Sequence, residues 1–378
     1  MRLASSAWDL LTYKLRYVGL RDTVRIGYLD LHEQVLARLT KRFPTVALSP
    51  RSIQIECTTR CNLKCTFCEL SYWTETPADL RLDNVQKMVA HLPHLKRVDL
   101  TGIGESLMNR EFYEIVAFLK GRGLYVTFND NFTMMTDKAA RRIVELQVDQ
   151  IFLSLDGATK ATYEQMRRGA NFDKVIANAR RLVEVKRERG SRHPEFKINS
   201  VVCMTNYQEL ADIVTLAHDI GIGMVQFVNV ITFDHTTGLD TDRIRSDVQR
   251  ALEETARRAR RLGVRIKIEL FDKLPVETCT FPWTRNFVTY DGHVHPCCYT
   301  TQTGDRTAQN RRSFGNLLER TFREIWSGEV YSGFRSKMQQ GILPRACEHC
   351  PKYVGKPDLP AGEDLVVLGR TARSTTAG

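Results

Sequence analysis

The sequence predicts an α/β protein, a partial barrel of parallel strands followed by a small cysteine-rich domain. Between residue 51 and about residue 270, short β-branched or aromatic runs alternate with longer stretches of helical period. This alternation implies parallel strands joined by right-handed helical crossovers. After residue 270 it stops, and five of the ten cysteines of the chain follow. In a barrel of this kind, the reactive groups lie at the carboxyl ends of the strands.

The first two segments carry most of the regular pattern. Residues 1–50 are expected to form two amphipathic helices, about 6–19 and 28–42, which cap the next domain or offer a partner surface. Residues 51–270 are expected to form the barrel. Its six predicted strands are SIQIEC, RVDLTG, YVTFND, QIFLSLD, FKINSVVC and MVQFVNVI.

The two remaining segments lack this pattern. Residues 271–356 contain the hairpin-like NFVTYDGHVHPCCY and one helix near 319–338, with too little apolar periodicity for a large independent core. Bound metal is therefore expected to stabilise this small domain. Residues 357–378 are expected to be a mobile tail.

The composition is that of an ordinary soluble globular protein, with 42% hydrophobic and 26% charged residues among 378. No run approaches the ~18 apolar residues of a spanning helix, and the amino terminus lacks a signal-type cleavage site. We therefore expect a cytoplasmic protein. The net charge of +11 either attracts an anionic substrate or belongs to a solvated basic surface. No RNA-binding signature accompanies it, which argues against a nucleic-acid partner.

Three cysteines, Cys61, Cys65 and Cys68, lie at C-x3-C-x2-C spacing directly after the first predicted strand. Clustered cysteines in a reducing compartment are typical metal ligands. Zinc would take a fourth nitrogen or sulfur ligand, which Cys57 could supply on spacing alone. A [4Fe–4S] cluster held by three thiolates would instead leave one iron open to a chelating ligand. At the end of a barrel strand, three ligands favour the reactive cluster.

These residues resemble the radical SAM superfamily, and the resemblance runs over about 51–270. It implies a partial (β/α)6 barrel of the TIM type, in which the three cysteines hold a [4Fe–4S] cluster and its open iron chelates S-adenosylmethionine (SAM). One electron would then cleave SAM to methionine and a 5′-deoxyadenosyl radical. The resemblance also implies an electron donor of the flavodoxin or ferredoxin type.

Two short segments that carry the resemblance are expected to contact the adenine and the methionine part of SAM. Phe67, just before the last cysteine, matches the aromatic residue that usually lies beside the adenine. After the second strand, TGIGES resembles the glycine–glycine–glutamate motif of the family. Gly104 and Glu105 would there meet the methionine amino group, although Ile103 replaces a common glycine.

Two further segments follow the next strands. NDNFTMMT is similar to the TNGxLLT segment of the family, with Asn131 at the position of the asparagine. FLSLDGATKATYEQMRRGANF resembles the SxDG…R-G run. The resemblance implies that Ser154 faces the ribose and that Arg167 or Arg168 meets the SAM carboxylate.

A second set of four cysteines has the spacing C-x12-G-x4-C followed by C-x2-C, and consists of Cys279, Cys297, Cys347 and Cys350. Four thiolates suit a closed [4Fe–4S] cluster or a structural zinc. The run, with the later GNLLERTFREIWSGEVY, resembles the SPASM/twitch extension of radical SAM enzymes. That resemblance implies one auxiliary cluster, since Lys356 stands where a full SPASM domain has its next cysteine. Cys297 fits the G-x4-C spacing better than Cys298 does.

The single auxiliary cluster resembles the twitch arrangement of radical SAM aminocyclitol dehydrogenases. The expected reaction is therefore hydrogen abstraction from a carbinol C–H of a sugar or aminocyclitol-like small molecule, with epimerisation or dehydrogenation, in natural-product or saccharide biosynthesis. The alternative is a peptide maturase that forms thioether or carbon–carbon cross-links, although 50 residues before the barrel are too few for a leader-recognition domain plus a linker. A third hypothesis, a non-enzymatic iron–sulfur carrier, is disfavoured by the SAM-binding segments.

Cys203 ends the fifth predicted strand, at the catalytic rim of the barrel. Its thiol would donate hydrogen to a substrate radical in an epimerase, or would pack in the core like many small cysteines. Other residues near predicted strand ends are candidates for the substrate pocket. They are Glu69, Tyr72, Trp73, Asn229, Asp234 and His235.

Overall fold

The computed structural model describes residues 7–42, 48–231, 238–270, 273–301, 304–348 and 350–358. From residue 359 onwards, the tail predicted over 357–378 lies outside the described residues. Two of the pocket candidates, Asp234 and His235, also lie outside them. Within the described part, the structure confirms the predicted α/β class with a parallel sheet.

One nine-stranded sheet organises the molecule, in the order β9-β8-β1-β2-β3-β4-β5-β6-β7. Neighbouring strands are parallel except β8 and β9. Strands β1 to β8 therefore all end at one edge of the sheet, which we call the carboxyl edge. In chain order, the strands are β1 (Ser52–Ile55), β2 (Arg97–Asp99), β3 (Tyr125–Asp130), β4 (Gln150–Ser154), β5 (Glu195–Val202), β6 (Met224–Asn229), β7 (Arg265–Glu269), β8 (Arg285–Val288) and β9 (Val294–His295).

The sheet contains two parallel strands beyond the six that the sequence predicts. In β7, charged and apolar residues alternate, as is typical of a half-exposed strand, and β7 lies at the end of the sheet. Strand β8 comes from the cysteine-rich region and pairs with β1, with Ser52 opposite Arg285 and Ile55 opposite Val288. The predicted hairpin is present as the antiparallel pair β8–β9. The cysteine-rich region thus extends the sheet of the barrel.

Helices connect consecutive strands of the barrel, and their amphipathic faces cover the sheet. Their ends follow ordinary capping rules: the Thr136 hydroxyl accepts from the Ala139 N–H, and Gly221 ends a helix at a φ of 92°. In chain order, the helices are α1 (Ala7–Tyr17), α2 (Leu20–Arg42), α3 (Leu82–Ala90), α4 (Phe112–Gly121), α5 (Asp137–Glu145), α6 (Lys160–Met166), α7 (Phe172–Glu188), α8 (Leu210–Ile220), α9 (Arg245–Leu262), α10 (Phe281–Thr284), α11 (Arg306–Arg311), α12 (Phe322–Trp326) and α13 (Glu329–Gln339).

The first two helices lie across the amino ends of the strands, opposite the carboxyl edge. They are separated at Gly19, whose φ of 92° suits glycine, so that α2 begins well before the predicted residue 28. On α2, Arg25 donates to the carbonyl of Gly123 at 2.6 Å, just before β3. Asp30 pairs with Arg97 at the start of β2, at 3.1 Å. These contacts hold the two helices against the sheet.

The cysteine-rich region has a small apolar core of its own, built around Val276, Trp283, Phe334 and Met338. The large core lies between the sheet and helices α3 to α9. Among the described residues, no helix combines the length and the apolarity needed to cross a membrane.

Candidate cofactor and cluster sites

The first cysteine set lies in the loop that leaves β1 at the carboxyl edge. Residues Lys64–Cys65 pair antiparallel with Arg167–Arg168, which places Cys65 opposite Arg167. The Ser71 hydroxyl donates to the Cys65 carbonyl at 2.7 Å, and the loop backbone at Thr66 donates to the Met166 carbonyl at 2.9 Å. The loop is therefore fixed to the segment after β4 before any ligand binds.

The thiols of this loop influence one another and are poorly stabilised as anions by the protein. Burial raises the pKa of Cys61 to about 11 and that of Cys68 to about 12, and the neighbouring Cys65 thiol adds to both shifts. Arg167 opposes these shifts. Metal ligation needs the thiolate, so a strongly cationic partner such as iron fits this donor set. Among the described residues, no three cysteine, histidine or acidic side chains are placed so that they could hold one metal ion together.

The structure separates the two candidate arginines for the SAM carboxylate. Arg167 is buried, and its Nε donates to Asp156 Oδ2 at 2.6 Å. Its Nη1 lies 3.9 Å from Cys65 Sγ, and its guanidinium carbon is 5.5 Å from the centre of the Phe67 ring. Arg168 is exposed. Arg167 is therefore the arginine that lies among the predicted site residues.

The loop after β2 runs directly across the cysteine loop. The Gly104 N–H donates to the Thr58 carbonyl at 3.1 Å, and the Glu105 N–H donates to the Arg60 carbonyl at 2.7 Å. A Cβ at Gly104 would overlap the carbonyl oxygens of Thr58 and Arg60. Glycine is thus required here by the close approach of two backbones.

Glu105 is buried beside a second carboxyl group, that of Asp130. Its Oε2 accepts from the Asn131 N–H at 2.9 Å, and among the described residues neither Glu105 Oε1 nor Asp130 Oδ2 has an N–H or hydroxyl donor. Burial, and then the neighbouring Asp130 carboxyl, raise the pKa of Glu105 well above its usual range. Two adjacent buried carboxyl groups cannot both ionise without a cation or a shared proton, so a cationic donor such as the SAM ammonium fits this position.

Asn131 contacts the protein rather than open space. Its Nδ2 donates to Asn62 Oδ1 at 3.1 Å, and its Oδ1 accepts from the Thr133 N–H at 2.9 Å. Asn131 therefore links Glu105 to the cysteine loop, and a direct contact with SAM stays a prediction. Phe132 stands where the family segment has glycine and adopts a φ of 60°. Its buried ring stacks on Phe196, with 5.1 Å between the ring centres.

The remaining predicted residues lie at the ends of β4 and β5. Ser154 is half-buried and opposite Asn199 in the sheet. Cys203 is fully buried against Met166 and Val230, and Phe67 packs on the same group. The structure thus places Cys203 beside the predicted adenine residue, but as part of a packed apolar cluster.

The second cysteine set surrounds one apolar cavity, with about 470 Å³ of empty space that is partly open to solvent. Apolar side chains such as Val276, Phe334 and Met338 form its walls. All four predicted cysteines line it: Cys279, Cys297, Cys347 and Cys350. Thiols and an apolar enclosure suit a closed iron–sulfur cluster, whose charge is carried by its own sulfur ligands.

The adjacent Cys297 and Cys298 differ in position. Cys297 lines the cavity, whereas Cys298 begins the short turn that follows it. Cys57, the possible fourth ligand of the first set, is buried between the sheet and the loop, and the Asn109 side-chain amide donates to its Sγ at 3.5 Å. These positions support Cys297 as the ligand and Cys57 as a core residue.

Sequence reasoning missed the groups that hold the site together. Asp156 accepts from both Arg167 and the Val201 N–H, at 2.6 and 2.7 Å. Glu56, the residue after β1, is buried and accepts from Arg306 Nη2 at 2.6 Å. Asp156 belongs to the SLDG segment, and its position at the end of a predicted strand was the available signal. Nothing in the local sequence links residue 56 to residue 306.

Three of the pocket candidates lie near the carboxyl edge. The Trp73 ring lies 5.5 Å from the guanidinium carbon of Arg306. Glu69 accepts from the Gly304 N–H, and Asn229 is half-buried at the end of β6. Tyr72 is exposed, and its hydroxyl lies 3.4 Å from the Thr66 carbonyl.

Two family models match the chain. The radical SAM superfamily model matches residues 55–217, and the SPASM model, an iron–sulfur cluster-binding domain, matches residues 279–351. Among solved structures, SuiB of Streptococcus suis bound to the precursor peptide SuiA superposes with a TM-score of 0.63 at 15% identity, over 80% of this chain and 70% of that one. That likeness concerns the fold.

Three curated relatives match most of the chain. A tungsten-containing aldehyde ferredoxin oxidoreductase cofactor-modifying protein of Pyrococcus furiosus is 26% identical over 79% of this chain and 86% of its own length. An AdoMet-dependent heme synthase of Methanosarcina barkeri is 25% identical, over 80% and 89%. A PqqA peptide cyclase of Xanthomonas campestris is 23% identical, over 80% of each.

These relatives contradict the sugar or aminocyclitol substrate expected from the sequence. Their names describe cofactor modification, haem synthesis and peptide cyclisation, so the epimerase or dehydrogenase assignment was wrong. The error has a physical reason: cysteine spacing determines which clusters a chain can hold, but it does not determine the shape of the substrate pocket.

The family assignment, by contrast, rests on agreement between several observations. The cysteine loop, the glycine–glutamate loop and Arg167 meet at the carboxyl edge, the second cysteine set surrounds one cavity, and both family models cover these regions. The two domains imply [4Fe–4S] clusters, with SAM as the cofactor of the radical SAM domain. That these two cysteine sets hold the clusters stays a prediction. The chain belongs to the radical SAM superfamily and carries a C-terminal SPASM-type iron–sulfur domain.

Proposed function

We propose that this radical SAM enzyme is a peptide maturase that forms a cross-link within a peptide substrate. The observation that carries the proposal is similarity along most of the chain to a PqqA peptide cyclase. The mycofactocin maturase of Mycobacterium tuberculosis, 25% identical over 49% of this chain and 46% of its own length, supports it. When bound, SAM supplies a group that removes hydrogen from an unactivated C–H.

The residues of the chain have distinct tasks in this proposal. Cys61, Cys65 and Cys68 would hold the first cluster, and the buried Glu105 carboxyl, beside Asp130, would accept from the SAM ammonium. Arg167, fixed by Asp156, would meet the SAM carboxylate. The hydrogen-donor role predicted for Cys203 belongs to epimerisation and is not part of the proposal.

Contacts between the cysteine-rich region and the first cysteine loop favour a long substrate. Because β8 pairs in parallel with β1, the loop of the first cysteine set and the turn between β8 and β9 both lie at the carboxyl edge, whereas antiparallel β9 leads the chain back towards the amino ends. Segment 304–311 then reaches across to the cysteine loop, where Gly304 contacts Glu69 and Arg306 contacts Glu75 and Glu56. An extended peptide would lie between these two regions of the carboxyl edge.

A displayed library of random peptides tests the proposal. The anaerobically reconstituted enzyme, with SAM and reduced flavodoxin, should yield peptides that have lost two hydrogen atoms, together with 5′-deoxyadenosine in proportion. The triple variant Cys61→Ala/Cys65→Ala/Cys68→Ala is the matched control and should leave every peptide unchanged. If wild-type enzyme forms 5′-deoxyadenosine at a rate independent of peptide and no peptide changes mass, the proposal is wrong.

A second candidate is a haem-forming reaction, because a heme synthase matches 80% of this chain and 89% of its own length. The same assay separates the two candidates when an iron porphyrin with propionate side chains replaces the peptide library. Consumption of the porphyrin with 5′-deoxyadenosine formation would select this second function over peptide maturation.

A further inference from the structure

The outward face of helix α2 is apolar along most of its length. Leu20 is 69% exposed, Val24 64% and Leu31 60%, and Tyr28, Val35 and Leu39 on the same face are also exposed. Spacings of three and four residues place these side chains in one stripe. Leu11 and Leu15 on α1 are exposed as well. We call this set the apolar stripe; it consists of Leu11, Leu15, Leu20, Val24, Tyr28, Leu31, Val35 and Leu39.

The stripe is not the face that holds the helix in the fold. The buried face of α2 is formed by Ile26, Leu29 and Leu36, and Ile26 and Leu29 pack in one cluster with Tyr125 of β3. The helix is therefore apolar on two sides, of which the sheet covers only one. Exposed apolar patches of this extent generally mark an interaction surface.

The charges of α2 are divided between its two sides. Its three acidic residues all bind other parts of the fold: Asp22 contacts His193, Asp30 pairs with Arg97, and Glu33 pairs with Arg97 and Arg285. Side chains of the opposite sign remain on the outer side. Arg21 and Arg38 on α2 and Arg16 on α1 are exposed, and none has a carboxylate partner among the described residues.

The apolar stripe and the exposed arginines beside it together favour one kind of partner surface. In a symmetric pair of antiparallel α2 helices, Arg21 of one copy would approach Arg38 of the other, which is repulsive. An anionic bilayer surface, by contrast, accepts leucine and valine side chains at the acyl boundary and arginines among its headgroups. Arginines lie near both ends of the stripe, and Tyr28 in its middle is an amphipathic side chain typical of that boundary.

We propose that the apolar stripe and its arginines are a docking surface for an anionic membrane surface. The helix would lie in the plane of the interface, about 34 Å long for 23 residues. Because α1 and α2 lie across the amino ends of the strands, docking leaves the carboxyl edge facing away from the bilayer. The surface is thus independent of the cofactor site and of the proposed function.

Vesicle flotation of the full-length, reconstituted protein tests the proposal. Protein should float with phosphatidylglycerol vesicles and remain unbound with phosphatidylcholine vesicles. The charge variant Arg16→Gln/Arg21→Gln/Arg38→Gln should weaken binding by about 100-fold, since each cation near an anionic surface contributes about fivefold. The matched control is Arg180→Gln/Arg320→Gln/Arg323→Gln, three exposed arginines outside the surface, which should bind like wild type.

A second variant examines the apolar side chains. Leu20→Gln/Val24→Gln/Leu31→Gln/Val35→Gln should lose vesicle binding, whereas Val330→Gln, at a residue that is 61% exposed on α13, should keep it. All variants should form 5′-deoxyadenosine like wild type, which shows that they fold. The proposal is overturned if wild type ignores phosphatidylglycerol vesicles. It is equally overturned if sedimentation shows a dimer that the apolar variant abolishes, because the surface would then bind a second copy.

Discussion

The two cysteine sites differ in what surrounds their thiols. In the first, Cys65 lies beside the buried ion pair of Arg167 and Asp156, and Glu105 keeps one buried oxygen without an N–H or hydroxyl donor among the described residues. In the second, four cysteines line a cavity walled mostly by apolar side chains such as Val276, Phe334 and Met338, and its one charged lining residue, Lys352, pairs with Glu269. A site that would bind a further charged ligand retains several buried charged groups, whereas a site that four thiols would close is surrounded mainly by apolar side chains.

The largest effect is expected from a variant that removes the ligands of the first site alone. Replacing Cys61, Cys65 and Cys68 by Ala should abolish SAM cleavage and reduce the iron content from about eight to about four per chain, because the second site keeps its own ligands. Iron analysis and 5′-deoxyadenosine assays on anaerobically reconstituted protein measure both quantities. Zinc accompanied by only four irons in wild type would show that the second site holds zinc.

The next largest effect is expected from variants of the second site, whose iron content distinguishes its two adjacent cysteines. Cys297→Ala should lose about four irons, because Cys297 lines the cavity, and Cys298→Ala should keep all eight. The two variants are matched controls for each other, since they remove the same group one residue apart. The reverse result, iron lost only from the Cys298 variant, would assign Cys298 as the ligand.

The sequence yields a ligand prediction for both cysteine sets because ligand spacing and order along the chain are local properties; that the sets hold iron stays a prediction. It did not predict Asp156 as the partner of Arg167, or Asn131 as a link to Asn62, because such side-chain contacts depend on how separate loops pack. The substrate was predicted wrongly for the same reason. The pocket is formed by side chains from several loops, and none of them carries a spacing rule.

The fold shows the same division between local and long-range information. The six barrel strands follow from alternating apolar runs, and each was found. Strand β8 was seen as half of a hairpin, but its parallel pairing with β1, more than 200 residues earlier in the chain, has no local signal. At Phe132, a long-range contact accompanies an unfavourable local conformation. The family segment has glycine at this position, which suits the observed φ of 60°, and in this chain the phenylalanine ring stacks on Phe196.

A smaller effect is expected from Glu105, the buried carboxyl group that distinguishes the first site. Glu105→Gln keeps the acceptor for the Asn131 N–H but removes the carboxyl group that would pair with the SAM ammonium. Hydrogen bonds to charged groups contribute about 1.5–3 kcal/mol, so the Kd for SAM should rise about 10- to 100-fold. Isothermal titration of reconstituted protein measures it, and Glu145→Gln, at a surface ion pair, is the control. An unchanged Kd would remove Glu105 from the SAM site.

The smallest expected effect concerns Cys57, which lies between the sheet and the first site without belonging to its ligands. Its thiol is buried, and burial raises its pKa. The Asn109 amide donates to its sulfur and also to its backbone carbonyl, the latter at 2.7 Å, so that Ala at position 57 loses packing but keeps the stronger bond. Cys57→Ala should therefore cost about 1 kcal/mol, seen as a lower thermal midpoint, with iron content and SAM cleavage like wild type. Loss of iron from this variant would instead make Cys57 a fourth ligand, and the first site would then resemble the second in being closed.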